Sequence, residues 1–249
     1  MGNTMAVPRF FVPLELAPGM IGATVALPDA AAHHATRVVR LAVGDALTLF
    51  AGTGGEYAAT ISRIDKRGAA VRIDGYTPVE RESALRITLA QAIVANDAMD
   101  YAVRKATELG AAAIQPLVTA RSAPLPAGER GEKRLGHWRQ IAIAACEQCG
   151  RNRVPDVLAP QALAEWLRAW RGGGIVFAPE AAQGLAALPA PAAPIALLMG
   201  PEGGFAPDEI AGALRSGFAP AQLGPRVLRS ETAAVAALAA VHVLWGDFR

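Results

Sequence analysis

The sequence predicts an α/β protein in two parts, a small β domain followed by a larger domain in which strands alternate with helices around a mostly parallel sheet. Up to about Tyr76 short apolar alternations are broken by turns, after residue 85 apolar runs alternate with helical patterns, and the polar, proline-containing stretch GYTPVERESA lies between them. Residues 1–76 are therefore assigned to the β domain, 77–84 to a linker and 85–249 to the α/β domain.

In the first part GATVALP, DALTLFAGTGGEYAATISRI and AAVRIDGYT read as strands bounded by turn residues. The glycines of AGTGG supply the positive φ of a tight hairpin, which predicts a β-meander or small barrel. A phosphate loop is excluded there, because neither Lys-Ser/Thr nor a helix follows. The one helical insert is DAAAHHATRVVR, with Asp29 as its N-cap, and its periodicity sets His34, Arg37 and Arg40 on one face.

In the second part RITLAQAIV and AAIQPLV read as strands, and GIVFAPE and PIALLMG as the doubly buried strands of a parallel sheet. DAMDYAVRKATELG, KRLGHWRQIAIAACEQCG, ALAEWLRAWRGG and the strongly apolar ETAAVAALAAVHVLWG read as helices, with Gly110 suited to the left-handed position after the first of them. A Pro/Ala connector at 187–194 is expected on the surface, and no internal repeat is visible.

Composition narrows the class. A chain of 249 residues has room for two cores, and 52% hydrophobic with 18% charged residues is an ordered globular balance. No apolar run reaches the roughly 18 to 20 residues of a membrane span, and the start MGNTMAVPRFFVP lacks a basic segment followed by an apolar one, so a cytoplasmic protein is expected. Cys146 and Cys149 form a C-x-x-C at the end of a helical pattern; without a second ligand pair or a thioredoxin-like βαβ unit, neither zinc nor redox chemistry is expected. The net charge is only +2, yet Arg121 to Arg153 carries seven basic residues against three acidic ones. Such a stretch suits phosphate contacts or a solvated helix face.

Ligands of open α/β sheets bind beyond the carboxyl ends of the strands, so glycine turns after apolar strands are where a site is expected. Two qualify: LLMGPEGGF at 197–205, leading into the helix PDEIAGALR, and LGPRVLRSETAA at 223–234, leading into the last helix. Neither is G-x-G-x-x-G or a Walker loop, and Glu202 would repel a phosphate. Glycine-rich, weakly charged turns suit a ligand held by backbone N–H and C=O groups; two surface turns without a ligand are the bland alternative.

The pairing of MGPEGGF with LGPRVLRSETAA resembles the cofactor motifs of the RsmE family, 16S ribosomal RNA (uridine-N3)-methyltransferases of the SPOUT superfamily. KATELGAAAIQPLVTARS and EQCGRNRVP are similar to that family's upstream signatures, and HHATRVVRLAVGD to its RNA-binding segment, so the likeness runs from about Arg9 to the C-terminus. Cys149 departs from it, standing where a small residue such as Ser is expected, and the residues before Met5 look like an extension.

The resemblance implies a PUA-like N-terminal β-barrel and a C-terminal SPOUT α/β domain with a deep trefoil knot, acting as a homodimer with S-adenosyl-L-methionine (SAM) as cofactor and without metal. Carried onto this chain, Leu198, Met199, Gly200, Gly203 and Gly204 form one wall of the cofactor site, and Leu223, Gly224, Leu228, Ser230, Thr232 and Ala233 the other. The implied substrate is a uridine of 16S RNA in the small ribosomal subunit. Uracil N3 becomes nucleophilic only on losing its proton. Arg229 is accordingly expected to stabilise charge on the uracil carbonyl, and Glu231 to orient it or accept the proton. Alternatively Glu231 serves only the N-terminus of the last helix and pairs with Arg229. Arg9, His34, Arg37, Arg40, Arg121, Arg151 and Arg153 are the expected RNA contacts. Other readings stay open: a SPOUT enzyme acting on a ribose hydroxyl or a tRNA base, or a non-catalytic RNA-binding module, which would have no need to bind SAM.

Overall fold

The computed structural model describes residues 7–124, 126, 128–191 and 194–248, so Met5 and part of the 187–194 connector lie outside the described residues. The chain divides into two compact units that do not follow a single cut. The first comprises residues up to Arg81 together with Cys146–Val154, the second Glu82–Ala145 together with Pro155–Arg249.

The first unit is built on strands β1 (Arg9–Phe11), β2 (Thr24–Ala26), β3 (Ala46–Phe50), β4 (Glu56–Asp65) and β5 (Gly68–Thr77), in the order β1-β3-β4-β5-β2. β1 runs parallel to β3, and the other pairs are antiparallel. The hairpin glycines join β3 to β4 as expected, with Gly52, Gly54 and Gly55 all at positive φ. One face of the sheet buries Leu47, Leu49, Ile61, Val71 and Ile73 against Phe10 and the alanines of helix α1 (Asp29–His33). Each such aliphatic side chain contributes about 1.5 to 3 kcal/mol on burial.

The sequence reading errs at α1 in two respects. Asp29 is the first helical residue and Pro28 the N-cap, and the helix widens into a π turn over His34–Val38. The chain then reverses: Val39 N–H donates to the His34 carbonyl, Leu41 N–H to the Ala35 carbonyl, and Arg40 takes the left-handed conformation at φ 65°. The Leu41–Ala35 bond spans one residue more than the 6→1 bond of a Schellman end, as the π turn requires, and the left-handed position is one usually held by glycine. His34, Arg37 and Arg40 therefore do not share a helical face, because three-residue spacing keeps a face only while the helix continues.

The polar centre of this unit is Glu56, whose Oε2 accepts from Arg9 Nη1 at 2.6 Å, Arg81 Nη1 at 3.1 Å and Asn152 Nδ2 at 3.2 Å. Asn152 is fully buried; its Oδ1 accepts from Arg9 Nη2 at 2.5 Å and its amide donates to the Val79 carbonyl. Glu147 adds a second tie, accepting the Phe11 N–H at 2.9 Å. Residues 147–152, which the sequence assigns to the other domain, thereby supply the partners of β1.

The second unit carries a seven-stranded parallel sheet: β6 (Ile87–Ala92), β7 (Ala113–Val118), β8 (Asp156–Val157), β9 (Gln161–Ala162), β10 (Gly173–Phe177), β11 (Ile195–Met199) and β12 (Ala219–Ala221). The order is β12-β10-β11-β6-β7-β8, with β9 also on β7. Its helices are α2 (Asn96–Glu108), α3 (Glu129–Cys149), α4 (Leu163–Ala169), α5 (Pro207–Arg215) and α6 (Ser230–Trp245), the last four residues of α3 belonging to the first unit. β11, apolar and buried at every residue, is central. The short β8, β9 and β12 lack a readable period, so the sequence does not announce them. α6 packs on α2 and β11. No helix among the described residues is long and apolar enough to cross a membrane.

Burial acts to raise the Glu56 carboxyl, but hydrogen bonds from Arg81, Arg9 and Asn152 together with the Arg9 charge outweigh it and hold the group below the usual carboxylate range. A depressed carboxylate stabilises the fold above its unfolded-state pKa, about 4.3, and that contribution is lost as pH falls through the lower native value. Glu56→Gln is expected to lower the thermal midpoint at neutral pH and to flatten its decline below about pH 5. A parent-like acid decline in the variant would remove Glu56 as its source.

Candidate functional site

Strands β10, β11 and β12 are adjacent and parallel, so their carboxyl ends open on the same edge of the sheet. A cleft of about 530 Å³ lies there. Its walls are the turn after β11, residues 200–205, and the segment 222–230 between β12 and α6. The two glycine turns read from the sequence thus face one another. A third wall was not anticipated. Ala178, Pro179 and Glu180, which follow β10, also line the cleft; the signal was an apolar strand ending in a proline turn, as GIVFAPE does.

The turn after β11 has a local cause. Gly204 N–H donates to the Pro201 carbonyl at 2.9 Å, and Gly204 sits at φ 70°, which an L side chain adopts only with strain. Pro207 then opens α5, and Glu209 accepts the Ala206 N–H at 2.8 Å as its cap.

The two loops are joined by one hydroxyl. Ser230, the first residue of α6 and buried, donates from Oγ to the Gly200 carbonyl at 2.5 Å and accepts from Gln91 Nε2 at 2.8 Å. Gln91 is fully buried at the end of β6 and also donates to the Ala92 carbonyl. Sequence reading missed it; its only signal was a glutamine inside the apolar run RITLAQAIV. Ser230 therefore draws the ends of β6 and β11 and the start of α6 to one point.

Of the expected cofactor residues, Met199, Gly200, Gly203, Gly204, Leu223, Gly224, Leu228, Ser230 and Ala233 line the cleft. Leu198 and Thr232 do not. Leu198 points into the core beside Ala196 and Phe218, as strand alternation demands after Met199, and Thr232 is exposed. Arg229 is exposed on the cleft wall, and Val227, 82% exposed, stands near it. Glu231 lies in the first turn of α6 and does not line the cleft. Among the described residues no ion pair joins it to Arg229, so the expected pairing is absent.

The expected RNA contacts separate into different roles. Arg121 lies at this cleft, with Nη1 donating to the Gly203 carbonyl at 2.8 Å. Arg9 is committed to Glu56 and Asn152, and Arg151 is only 4% exposed, so neither presents its guanidinium to a polyanion. Arg153 pairs through Nε with Glu80 at 2.5 Å. His34 stands edge-on to Phe10 and 3.8 Å from Glu147. Arg37 and Arg40 are exposed and, among the described residues, make no ion pair. Neither cysteine forms a disulfide, Cys146 donates to the Arg153 carbonyl, and no cluster of three potential metal ligands occurs among the described residues.

Ser230→Ala removes the hydroxyl that the Gly200 carbonyl accepts from and one of the two acceptors of the Gln91 amide, a loss of about 1 to 3 kcal/mol. Thermal denaturation is expected to show a lower midpoint, and titration calorimetry weaker binding of SAM, the ligand that the resemblance implies for this cleft. Ser230→Thr keeps the hydroxyl and should retain more of both; equal losses in the two variants would argue against the hydrogen bonds as the cause.

Comparison with known proteins places the chain in a family. Residues 81–242 match the family model of an RNA methyltransferase domain, and residues 27–74 that of an RNA methyltransferase PUA domain. Ribosomal RNA small subunit methyltransferase E of Buchnera aphidicola (subsp. Acyrthosiphon pisum) is 33% identical, over 90% of this chain and 89% of its own. The protein of that name from Neisseria gonorrhoeae, crystallised with S-adenosyl methionine, is 38% identical with a TM-score of 0.90, over 98% of this chain and 100% of its own. A putative methyltransferase of Legionella pneumophila, in complex with bound SAM, is also 38% identical, with a TM-score of 0.94 and the same coverage. With both units matched and the cleft built from its two glycine turns, the chain belongs to the family of ribosomal RNA small subunit methyltransferase E.

Proposed function

We propose that this chain, a SAM-dependent ribosomal RNA methyltransferase, methylates N3 of a uridine in the 16S RNA of the small subunit. The observation that carries the reading is the cleft at the ends of β10, β11 and β12, closed by Ser230 and flanked by Arg229.

The residues present fit the cofactor. A volume of about 530 Å³ lies within the usual range for a small-molecule site. The glycine turns offer backbone donors and acceptors, and Glu180 and Glu202 on the walls disfavour a phosphate. When bound, SAM supplies an electrophilic methyl group on a sulfonium.

The protein's part is alignment and charge. Ser230 holds the two walls in register, and fixing the reacting geometry is worth up to about 7 to 11 kcal/mol. Arg229, at the wall, stabilises negative charge on the uracil oxygens as N3 gives up its proton to solvent, and the N3 anion takes the methyl group. Glu231, in the first turn of α6 and off the cleft, favours the role of holding that helix terminus. Arg229→Ala is expected to lower kcat about a hundredfold at saturating SAM, whereas Glu231→Gln should leave kcat and its pH profile nearly unchanged. A large fall in kcat with a shifted acid limb in Glu231→Gln would make Glu231 the base instead. Mass spectrometry of nucleosides from 16S RNA of a strain lacking this chain, with and without its restoration, tests the product: 3-methyluridine must return, and a 2'-O-methylated product would overturn the assignment.

Arg37 and Arg40 are the best supported RNA contacts, being exposed and unpaired among the described residues. Arg40 is also held in a conformation that costs about 1 kcal/mol or more for a non-glycine residue. Replacing both by Ala is expected to weaken RNA binding and to reduce the slope of log K against log salt by roughly one to two; an unaltered slope would discount both.

We further propose a homodimer and a trefoil knot. The exposed Tyr101 of α2 and Val243 and Leu244 of α6, on two helices packed together, support a dimer face. The return of the chain from the edge strand β12 to α6, which packs on the central β11 and bonds the Gly200 carbonyl through Ser230, supports the knot. A ribosomal RNA substrate makes the cytoplasm the expected compartment.

A further inference from the structure

The turn after β11 is held by three side chains from three directions. Ser230 takes the Gly200 carbonyl, Arg121 takes the Gly203 carbonyl at 2.8 Å, and Glu202 reaches out to the Ala95 N–H at 3.1 Å, at the N-terminus of α2. Arg121 is the anomalous member. It is exposed, and fixing a free surface arginine costs about 2 kcal/mol of rotamer entropy. That cost is smallest when ordering its backbone adds nothing further, because the segment that carries it is already fixed.

Glu209 fixes it. One carboxylate oxygen, Oε2, accepts the Ala206 N–H, and the other, Oε1, accepts the Ala120 N–H at 2.8 Å. The neighbouring turn is closed by Ser122, whose Oγ accepts the Thr119 N–H at 3.1 Å. One charged group thus joins the exit of the cofactor turn to the segment bearing Arg121, which returns to the same turn at Gly203. Glu209 itself lines a separate cleft between α4 and α5, beside Leu167 and Arg215, and takes no part in the wall of the cofactor cleft.

We infer that Glu209 is a positioning residue for the cofactor site, acting through Arg121 to hold the Gly203 carbonyl and the turn around it. The inference rests on the cleft being the SAM site. A helix cap alone requires only the Ala206 contact, whereas the Ala120 contact, 89 residues away in the chain, is no part of a cap and ties α5 to the segment that bears Arg121.

A double-mutant cycle on the full-length protein tests it, with SAM affinity measured by calorimetry and kcat at saturating SAM on small subunits. Glu209→Gln retains one acceptor and turns an amide donor toward the other N–H. It is expected to weaken SAM about tenfold, as Arg121→Ala does, the size of one charge-assisted hydrogen bond. In the Arg121→Ala background Glu209→Gln should add less than about twofold, because contacts in one network do not add. kcat should stay within about twofold in Glu209→Gln, since the residue does not touch the reactants. Glu209→Asp keeps an acid in the first turn of α5 but cannot span both N–H groups. It should follow Glu209→Gln in SAM affinity with the thermal midpoint near the parent's. Independent, multiplicative losses in the double variant would overturn the inference and leave Glu209 a helix cap, as would Glu209→Asp binding SAM like the parent. Failure of the parent protein to bind SAM would instead sink the cofactor site itself.

Discussion

Much of the second unit depends on one buried hydroxyl. Ser230 Oγ both donates and accepts, so it can satisfy a carbonyl at the end of one strand and an amide at the end of the next without leaving a charge in the interior. A hydroxyl buried without partners would cost about 1 to 3 kcal/mol, which makes the position of α6 a consequence of where Gly200 and Gln91 stand. Since α6 begins at Ser230, the segment 222–229 has to cross from β12 toward the sheet centre, and it becomes the wall facing the glycine turn after β11. The cleft is the space left between them.

The same economy governs the charges. Most arginines near functional segments are engaged by the protein itself: Arg9 and Arg81 by Glu56, Arg153 by Glu80, Arg121 by a carbonyl. These side chains hold loops, and a guanidinium committed to a carboxylate or a carbonyl gives up part of its capacity for a phosphate. Arg37 and Arg40 differ in having no such partner among the described residues, and Arg229 in standing at the cleft without Glu231 beside it. Charge that is left free in a structure that pairs so much of it is where binding and catalysis have room to act.

Glu147 shows the cost of that economy. Burial raises its carboxyl above the usual range, with the Phe11 N–H, His34 and Arg9 opposing the rise, so the tie between α3 and β1 weighs against the desolvation of a charge. The unit accepts it because β1 is only three residues long and its backbone needs partners beyond β3.

Sequence alone determined the two-part organisation, the long strands β6, β7, β10 and β11, the helices around them, and both glycine turns. In each case the information is local: hydrophobic period, an apolar run, a glycine where φ must be positive. Only the tertiary structure decided that 146–154 joins the first unit, that Gln91 and Ser230 meet across 139 residues, and that Arg121 holds the turn after β11 while Arg9 is engaged by Glu56 and Arg151 is buried. It also broke the face on which His34, Arg37 and Arg40 were expected together, since a π turn and a left-handed residue leave no trace in three-residue spacing. A basic residue reads the same in sequence whether it will meet a phosphate, a carboxylate or a carbonyl; which partner it meets is a matter of distance, and distance is created by the fold.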